Sequence, residues 1–152
     1  MSKYWLIKSE PSVYSIDNLK KDKKTLWDGV RNYQARNMMR DDWSVGDTCL
    51  FYHSNDKPIG VAGIAKVTKL GIPDPLQFQS SSKYFDPKAT KEEPRWWSPE
   101  VKFAKKFKEV IPLDQIKVKK GLEKMILIKR GTRLSVQPVS KKEFDIIVTM
   151  AE

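Results

Sequence analysis

Residues 71 to 100 carry five of the chain's nine prolines, at Pro73, Pro75, Pro87, Pro94 and Pro99. A proline ring fixes φ, removes an N–H donor and biases the preceding residue away from the helical region, so neither a helix nor a long strand fits that spacing. The core has to come from the flanking segments. A loop of this length inside a compact domain is more often a binding loop or lid than a plain connector. Within it, Lys91-Glu92-Glu93 reads as solvated surface, whereas Trp96-Trp97 must pack against something.

On either side of the proline-rich stretch the patterns are mostly those of strands. Tyr4 to Lys8 reads as a first strand ended by Ser9-Glu10-Pro11, and Ser15 offers an N-cap to a short helix carrying Ile16 and Leu19. Val30 to Asp42 has good helix formers and ends before the Gly46-Asp47 turn. Thr48 to Ser54 and Ile59 to Leu70 read as a hairpin across Asn55-Asp56-Lys57-Pro58, with Cys49, Phe51 and His53 on one face of the first strand and Leu50 and Tyr52 on the other. Val101, Phe103 and Phe107 alternate along a further strand. Leu122 to Lys129 fits a helical turn or a strand, Arg133 to Pro138 a late strand closed by proline, and Ser140 to Glu143 a capping box for a terminal helix. The expected class is α+β: one domain, 1–152, with a curved or barrel-like mixed sheet and several short surrounding helices.

Charge narrows the partners. Lys plus Arg number 29 against 19 for Asp plus Glu, a formal charge of +10, which favours polyanions because each neutralised phosphate releases condensed counterions. Five tryptophans are more than a simple charged scaffold needs, and aromatic faces stack on bases as readily as they fill cores. One cysteine, Cys49, and one histidine, His53, fall short of a zinc ligand set, so no metal is expected. The opening MSKYWLIKSE has no long apolar run, so neither a secretory leader nor a membrane span is expected; the expected location is the cytoplasm, or the nucleus of a eukaryote.

Catalytic signatures are sparse. There is no G-x-S-x-G elbow and no phosphate-binding glycine loop, so nucleophilic hydrolysis and the common nucleotide cofactors are poor fits and no cofactor is expected. What stands out is "WDGVRNYQARNMMR" at 27 to 40, which interleaves arginines with Asn32, Gln34 and Asn37. Together with Ser9, His53, Ser54, Asn55, Trp96, Trp97, Arg133 and Gln137 it forms a set of planar polar and aromatic groups able to read the edge of a nucleobase. The same groups can equally cap helices and tie loops together.

"YWLIKSEPSVYS" at 4 to 15, "WDGVRNYQARNMMR" at 27 to 40, "FYHSN" at 51 to 55, "PDP" at 73 to 75, "YFDPKA" at 84 to 89, "PRWWSPEV" at 94 to 101 and "RLSVQPVS" at 133 to 140 together resemble the EVE domain over nearly the whole chain. The resemblance implies a PUA-like fold related to YTH domains. It also implies recognition of a modified base in DNA, chiefly 5-methylcytosine or its oxidised forms, without catalysis and by taking the flipped base into a pocket. That pocket would be lined by Ser9 and Glu10, by Val30, Arg31 and Asn32, and by His53, Ser54 and Asn55, with Trp97 close by. Trp27, Tyr33 and Arg133 complete the candidate wall, and Lys8, Arg36, Arg40 and Arg95 are the candidate phosphate contacts. The implied partners are DNA carrying modified cytosine and a separate nuclease or other effector. Two readings stay open beside this one: an RNA-binding module acting on tRNA or rRNA, and a small enzyme acting on modified nucleosides with His53 or Glu10 as base.

Overall fold

The computed structural model describes residues 2–152. Its strands are β1 (Tyr4–Ser9), β2 (Lys24–Leu26), β3 (Thr48–His53), β4 (Gly60–Lys69), β5 (Glu100–Pro112) and β6 (Val136–Val139). They form one sheet in the order β2-β5-β4-β3-β1-β6. β1 runs parallel to β3, and every other neighbouring pair is antiparallel. This is the expected α+β class with a mixed sheet. Its hydrogen-bonded order has two margins, β2 and β6.

Alternation along the central strands sends side chains to both faces, and each face carries its own apolar layer. Trp5, Ile7, Cys49 and Phe51 lie in one, with Ile16 and Leu19 of helix α1 (Ile16–Asp22), Trp27, Val30 and Met39. Leu6, Leu50 and Tyr52 lie in the other, with Ile116 of α3 (Leu113–Val118) and Ile147 of α4 (Lys141–Met150). The division of β3 expected from its alternation is the one observed. α2 (Tyr33–Asn37) runs into a π-helical turn over Met38–Asp42.

The two expected caps close as reciprocal pairs. Ser15 accepts from Asn18 N–H while the Asn18 side chain accepts from Ser15 N–H, and Ser140 and Glu143 do the same at α4. Each cap satisfies two backbone donors that the helix start leaves open. Gly63 lets α1 approach the sheet: a Cβ there would lie 2.9 Å from Ile16 Cδ1 and would overlap Lys105 O.

Three expectations need correction. The helix expected from Val30 begins only at Tyr33, because Asn32 caps it in an extended conformation, its Oδ1 accepting from Ala35 N–H at 2.9 Å. Val101 and Phe107, three alternations apart, end up in different layers. Opposite Ile64 and Ala65, β5 carries an extra residue between Phe103 and Lys105, and such a bulge reverses the facing of all that follows. Pro138 does not close the last strand but sits within β6, where a margin strand tolerates the missing donor. The segment from Leu122 to Lys129 resolves as a 3-10 turn at Ile126–Ile128.

Candidate nucleic-acid interface

The site is built at the end of β1. Ser9 and His53 stand abreast in the β1–β3 ladder, and Ser54 N–H donates to Ser9 O at 3.0 Å. Beyond them opens a cleft of about 500 Å³, bordered by Lys8, Ser9 and Glu10, by Val13 and Tyr14, by Thr25 to Arg31 without interruption, and by Lys83, Tyr84 and Ser135. That volume lies in the range of small-ligand pockets.

The Trp27–Arg31 wall is irregular backbone held from outside. Trp27 is only 7% exposed, and its ring meets the Phe51 ring edge-on at 5.4 Å. Trp27 N–H donates to Pro99 O at 2.8 Å, Asp28 N–H to Leu26 O at 3.0 Å and Gly29 N–H to Asp74 Oδ2 at 2.8 Å. Gly29 adopts φ +76°, a conformation that costs other residues steric strain, and a Cβ there would lie 3.0 Å from the Tyr84 ring. The proline-rich loop thus supplies both a clamp, Asp74, and a wall, Tyr84.

Arg31 is the rivet between the two. Its Nη1 donates to Asp74 Oδ2 and to Val30 O, each at 2.9 Å, while Nε and Nη2 donate to Tyr84 O at 3.0 and 2.8 Å. Its guanidinium lies 5.4 Å from the Tyr84 ring centroid and 5.1 Å from that of Trp96. The Lys83 ammonium also lies over Tyr84, at 5.1 Å. Asp74 is fully buried and also accepts from Leu76 N–H at 2.8 Å.

The other groups expected in the pocket divide. Ser9, Glu10, Trp27, Val30 and Arg31 border the cleft. Asn32 faces away as the α2 cap, and Tyr33 is exposed, its ring stacked on Trp96 at 5.0 Å. His53 is buried and its Nε2 accepts from Ile16 N–H at 3.1 Å, so it anchors α1. Asn55 donates to Glu10 Oε1 from just outside. Trp97, half-buried, forms an antiparallel bridge with Pro73 and carries the Arg40 guanidinium 5.4 Å over its ring. Ser54 and Arg133 do not border the cleft, though Ser135 does.

The candidate phosphate contacts also split. Arg36, Arg40 and Arg95 gather on one flank: Arg36 lies 4.7 Å over Tyr33 and 5.6 Å from Trp96, and Arg95 Nη2 donates to Tyr33 Oη at 2.7 Å. Lys8 borders the cleft, but β1 alternation takes its ammonium to the other face, 5.7 Å over the Tyr52 ring.

Asp28 also borders the cleft, at a position that none of the candidate base-reading groups occupies. The Asp28-Gly29 pair in the sequence is a turn signal, but the exposure of Asp28 to the cleft depends on the fold. Burial between the walls, then the nearby Asp74 carboxylate, push its carboxyl above the ordinary carboxylate range, although the residue remains open to solvent. Burial and then a 2.9 Å hydrogen bond to Asp22 push the Tyr14 phenol up to about 12, which keeps it protonated. Among the described residues no group of three His, Cys, Asp or Glu side chains is placed to hold a metal ion, and no helix is long and apolar enough to cross a membrane.

Residues 3–150 match the EVE domain family. The chain belongs to the EVE domain family. This EVE domain is 38% identical to human thymocyte nuclear protein 1 over 171 aligned positions, covering 100% of the chain and 75% of that protein. Among solved structures it is similar to a hypothetical protein from Leishmania major, with a TM-score of 0.94, 50% identity, and 99% and 95% of the two chains covered. It is also similar to the human THYN1 protein in complex with 5-methylcytosine containing DNA, with a TM-score of 0.90, 38% identity, and 99% and 98% covered. The EVE domain thus shares the PUA-like α+β fold expected from its motifs.

Proposed function

We propose that this EVE domain is a non-catalytic reader of modified cytosine in DNA, which accepts the flipped base in the cleft between the end of β1, the Trp27–Arg31 wall and Tyr84. The observation that carries the reading is that cleft: an indole at its back, a phenol ring on its side and polar groups at its rim, in a chain similar to a protein solved with 5-methylcytosine containing DNA. The two side chains an enzyme would use as bases are engaged, His53 by Ile16 N–H and Glu10 by Asn55, which favours binding over turnover. Cutting or recruitment falls to a separate effector, such as a nuclease.

Energetics assign the parts. Extruding a base costs a few kcal/mol, and stacking on an aromatic returns about 1–3 kcal/mol, so the two nearly cancel. Net affinity then comes from Lys and Arg on phosphates, for which the +10 charge and the Arg36, Arg40 and Arg95 flank are suited. One added methyl in an apolar recess is worth about 1–3 kcal/mol, so the preference for 5-methylcytosine is about ten- to a hundred-fold. Binding of matched duplexes with and without one 5-methylcytosine, at two salt concentrations, tests this. The preference persists at both while overall affinity falls with salt; equal affinity for the two duplexes overturns it.

A further inference from the structure

Asp28 stands in the cleft wall with its main chain fastened on both sides and its carboxyl left free. The amides of Trp27, Asp28 and Gly29 are all engaged. Yet the Asp28 carboxyl has no hydrogen-bond or ion-pair partner on another residue among the described residues, although other charged and titratable residues line the same cleft. Arg31 is committed to Asp74 and Tyr84 O, Glu10 to Asn55 and Tyr14 to Asp22. The Lys83 and Lys8 ammonium groups lie over Tyr84 and Tyr52. A buried polar edge entering this cleft therefore finds one unspent side-chain carboxyl.

We propose that Asp28 determines which base the cleft holds: its carboxyl meets the cytosine edge formed by ring N3 and the exocyclic N4 amine, and the pair shares one proton taken from solvent on binding. This rests on the base-reading proposal above. The amine donates one N–H to one carboxyl oxygen, and the proton on the other oxygen bridges to N3; the covalent bonds are otherwise unchanged. Carboxylates are natural acceptors for the cytosine amine, but an ionised one would set its second oxygen against the N3 lone pair. The proton removes that clash. Cytosine N3 is a far stronger base than O4 of thymine or uracil, so the shared proton favours cytosine. The neighbours already lean this way, since burial and Asp74 raise the proton affinity of Asp28 while Arg31 and its own amide oppose them.

The test compares wild type with Asp28→Asn and Asp28→Ala on duplexes carrying one 5-methylcytosine or one unmodified cytosine, from pH 6 to 8 at fixed salt. Wild-type affinity for the methylated duplex is expected to fall with rising pH by several-fold, bounded at about ten-fold per pH unit for one proton. Asp28→Asn, whose amide offers the same acceptor and donor at every pH, should bind the methylated duplex with a flat profile. Asp28→Ala should lose about ten-fold on that duplex. His53 is common to all three proteins and the phosphates to every duplex, so the difference between profiles reports Asp28. Should Asp28→Ala fail to fold, the Asp28→Asn profile decides alone. A wild type that prefers the methylated duplex with the same pH profile as Asp28→Asn overturns the role of Asp28. A wild type without that preference overturns the base-reading proposal itself.

Discussion

Arg31 and Asp74 are 43 positions apart in the chain and 2.9 Å apart in space, and that ion pair joins the two halves of the cleft wall. Asp74 is fully buried and satisfies three donors from two segments, so the irregular Trp27–Arg31 backbone depends on a residue in the proline-rich loop. Removing one member of a buried pair leaves the other charge uncompensated. Asp74→Ala is expected to destabilise the fold by about 3 kcal/mol, read as a lower urea midpoint, and to weaken binding of methylated DNA beyond what the lost stability explains. A midpoint within error of wild type would mean the pair is dispensable.

Gly29 offers a second handle on the same wall. Gly29→Ala combines an unfavourable positive φ with a contact 3.0 Å from the Tyr84 ring. It should cost about 1–2 kcal/mol from the backbone alone. Adding Tyr84→Ala should return only the steric part of the loss. If the double variant recovers fully, backbone strain was not the cause.

His53 predicts the acid limb of stability. Its Nε2 accepts a hydrogen bond from Ile16 N–H, which requires a neutral ring with its proton on Nδ1, and burial lowers its proton affinity below the ordinary value. The unfolded chain therefore takes up this proton first as pH falls. Stability should decline as pH drops below about 6.5 and continue declining until the depressed folded value is passed. His53→Gln, which keeps an acceptor without a titration, should flatten urea midpoints between pH 7 and 5. An unchanged slope would place the acid sensitivity elsewhere.

Lys24, Lys102 and Lys66 lie directly across from one another on β2, β5 and β4, all exposed. Like charges in register are unfavourable by about 0.2–1 kcal/mol per pair. Lys102→Thr should therefore raise the thermal midpoint at low salt, and the gain should shrink as salt screens the row. A gain that does not change with salt would point to β-propensity instead.

Much of this fold is written locally. The Ser15 and Ser140 caps, the alternation in β1 and β3, and the Asn55–Pro58 connection each depend on neighbours in sequence. The site is not. Asn32 resembles a base-reading amide, but the first turn of α2 needs a cap and takes it. Arg31 resembles a free guanidinium, yet its partners lie beyond residue 73. Trp27 rather than Trp97 borders the cleft, because Trp97 is drawn into a bridge with Pro73 that no pattern announces. The Phe103–Lys105 bulge, which decides where Phe107 points, leaves no mark in the alternation itself. The proline-rich loop was legible as a functional element because its prolines leave no long helix or strand, only the short 3-10 turn at Pro75–Phe78 that Asp74 caps; which of its residues clamp the site was not, because that depends on contacts with residues 29 to 31.

The most direct measurement places the base. A duplex carrying one 5-methylcytosine with a ¹³C-labelled methyl, bound to the protein, reports that methyl's neighbours through intermolecular nuclear Overhauser effects. Contacts from the methyl to the ring protons of Trp27 or Tyr84, together with loss of its contacts to the adjacent stacked bases, are the predicted result. A methyl that keeps its stacked neighbours in the saturated complex, with no contact to the cleft, would contradict the account.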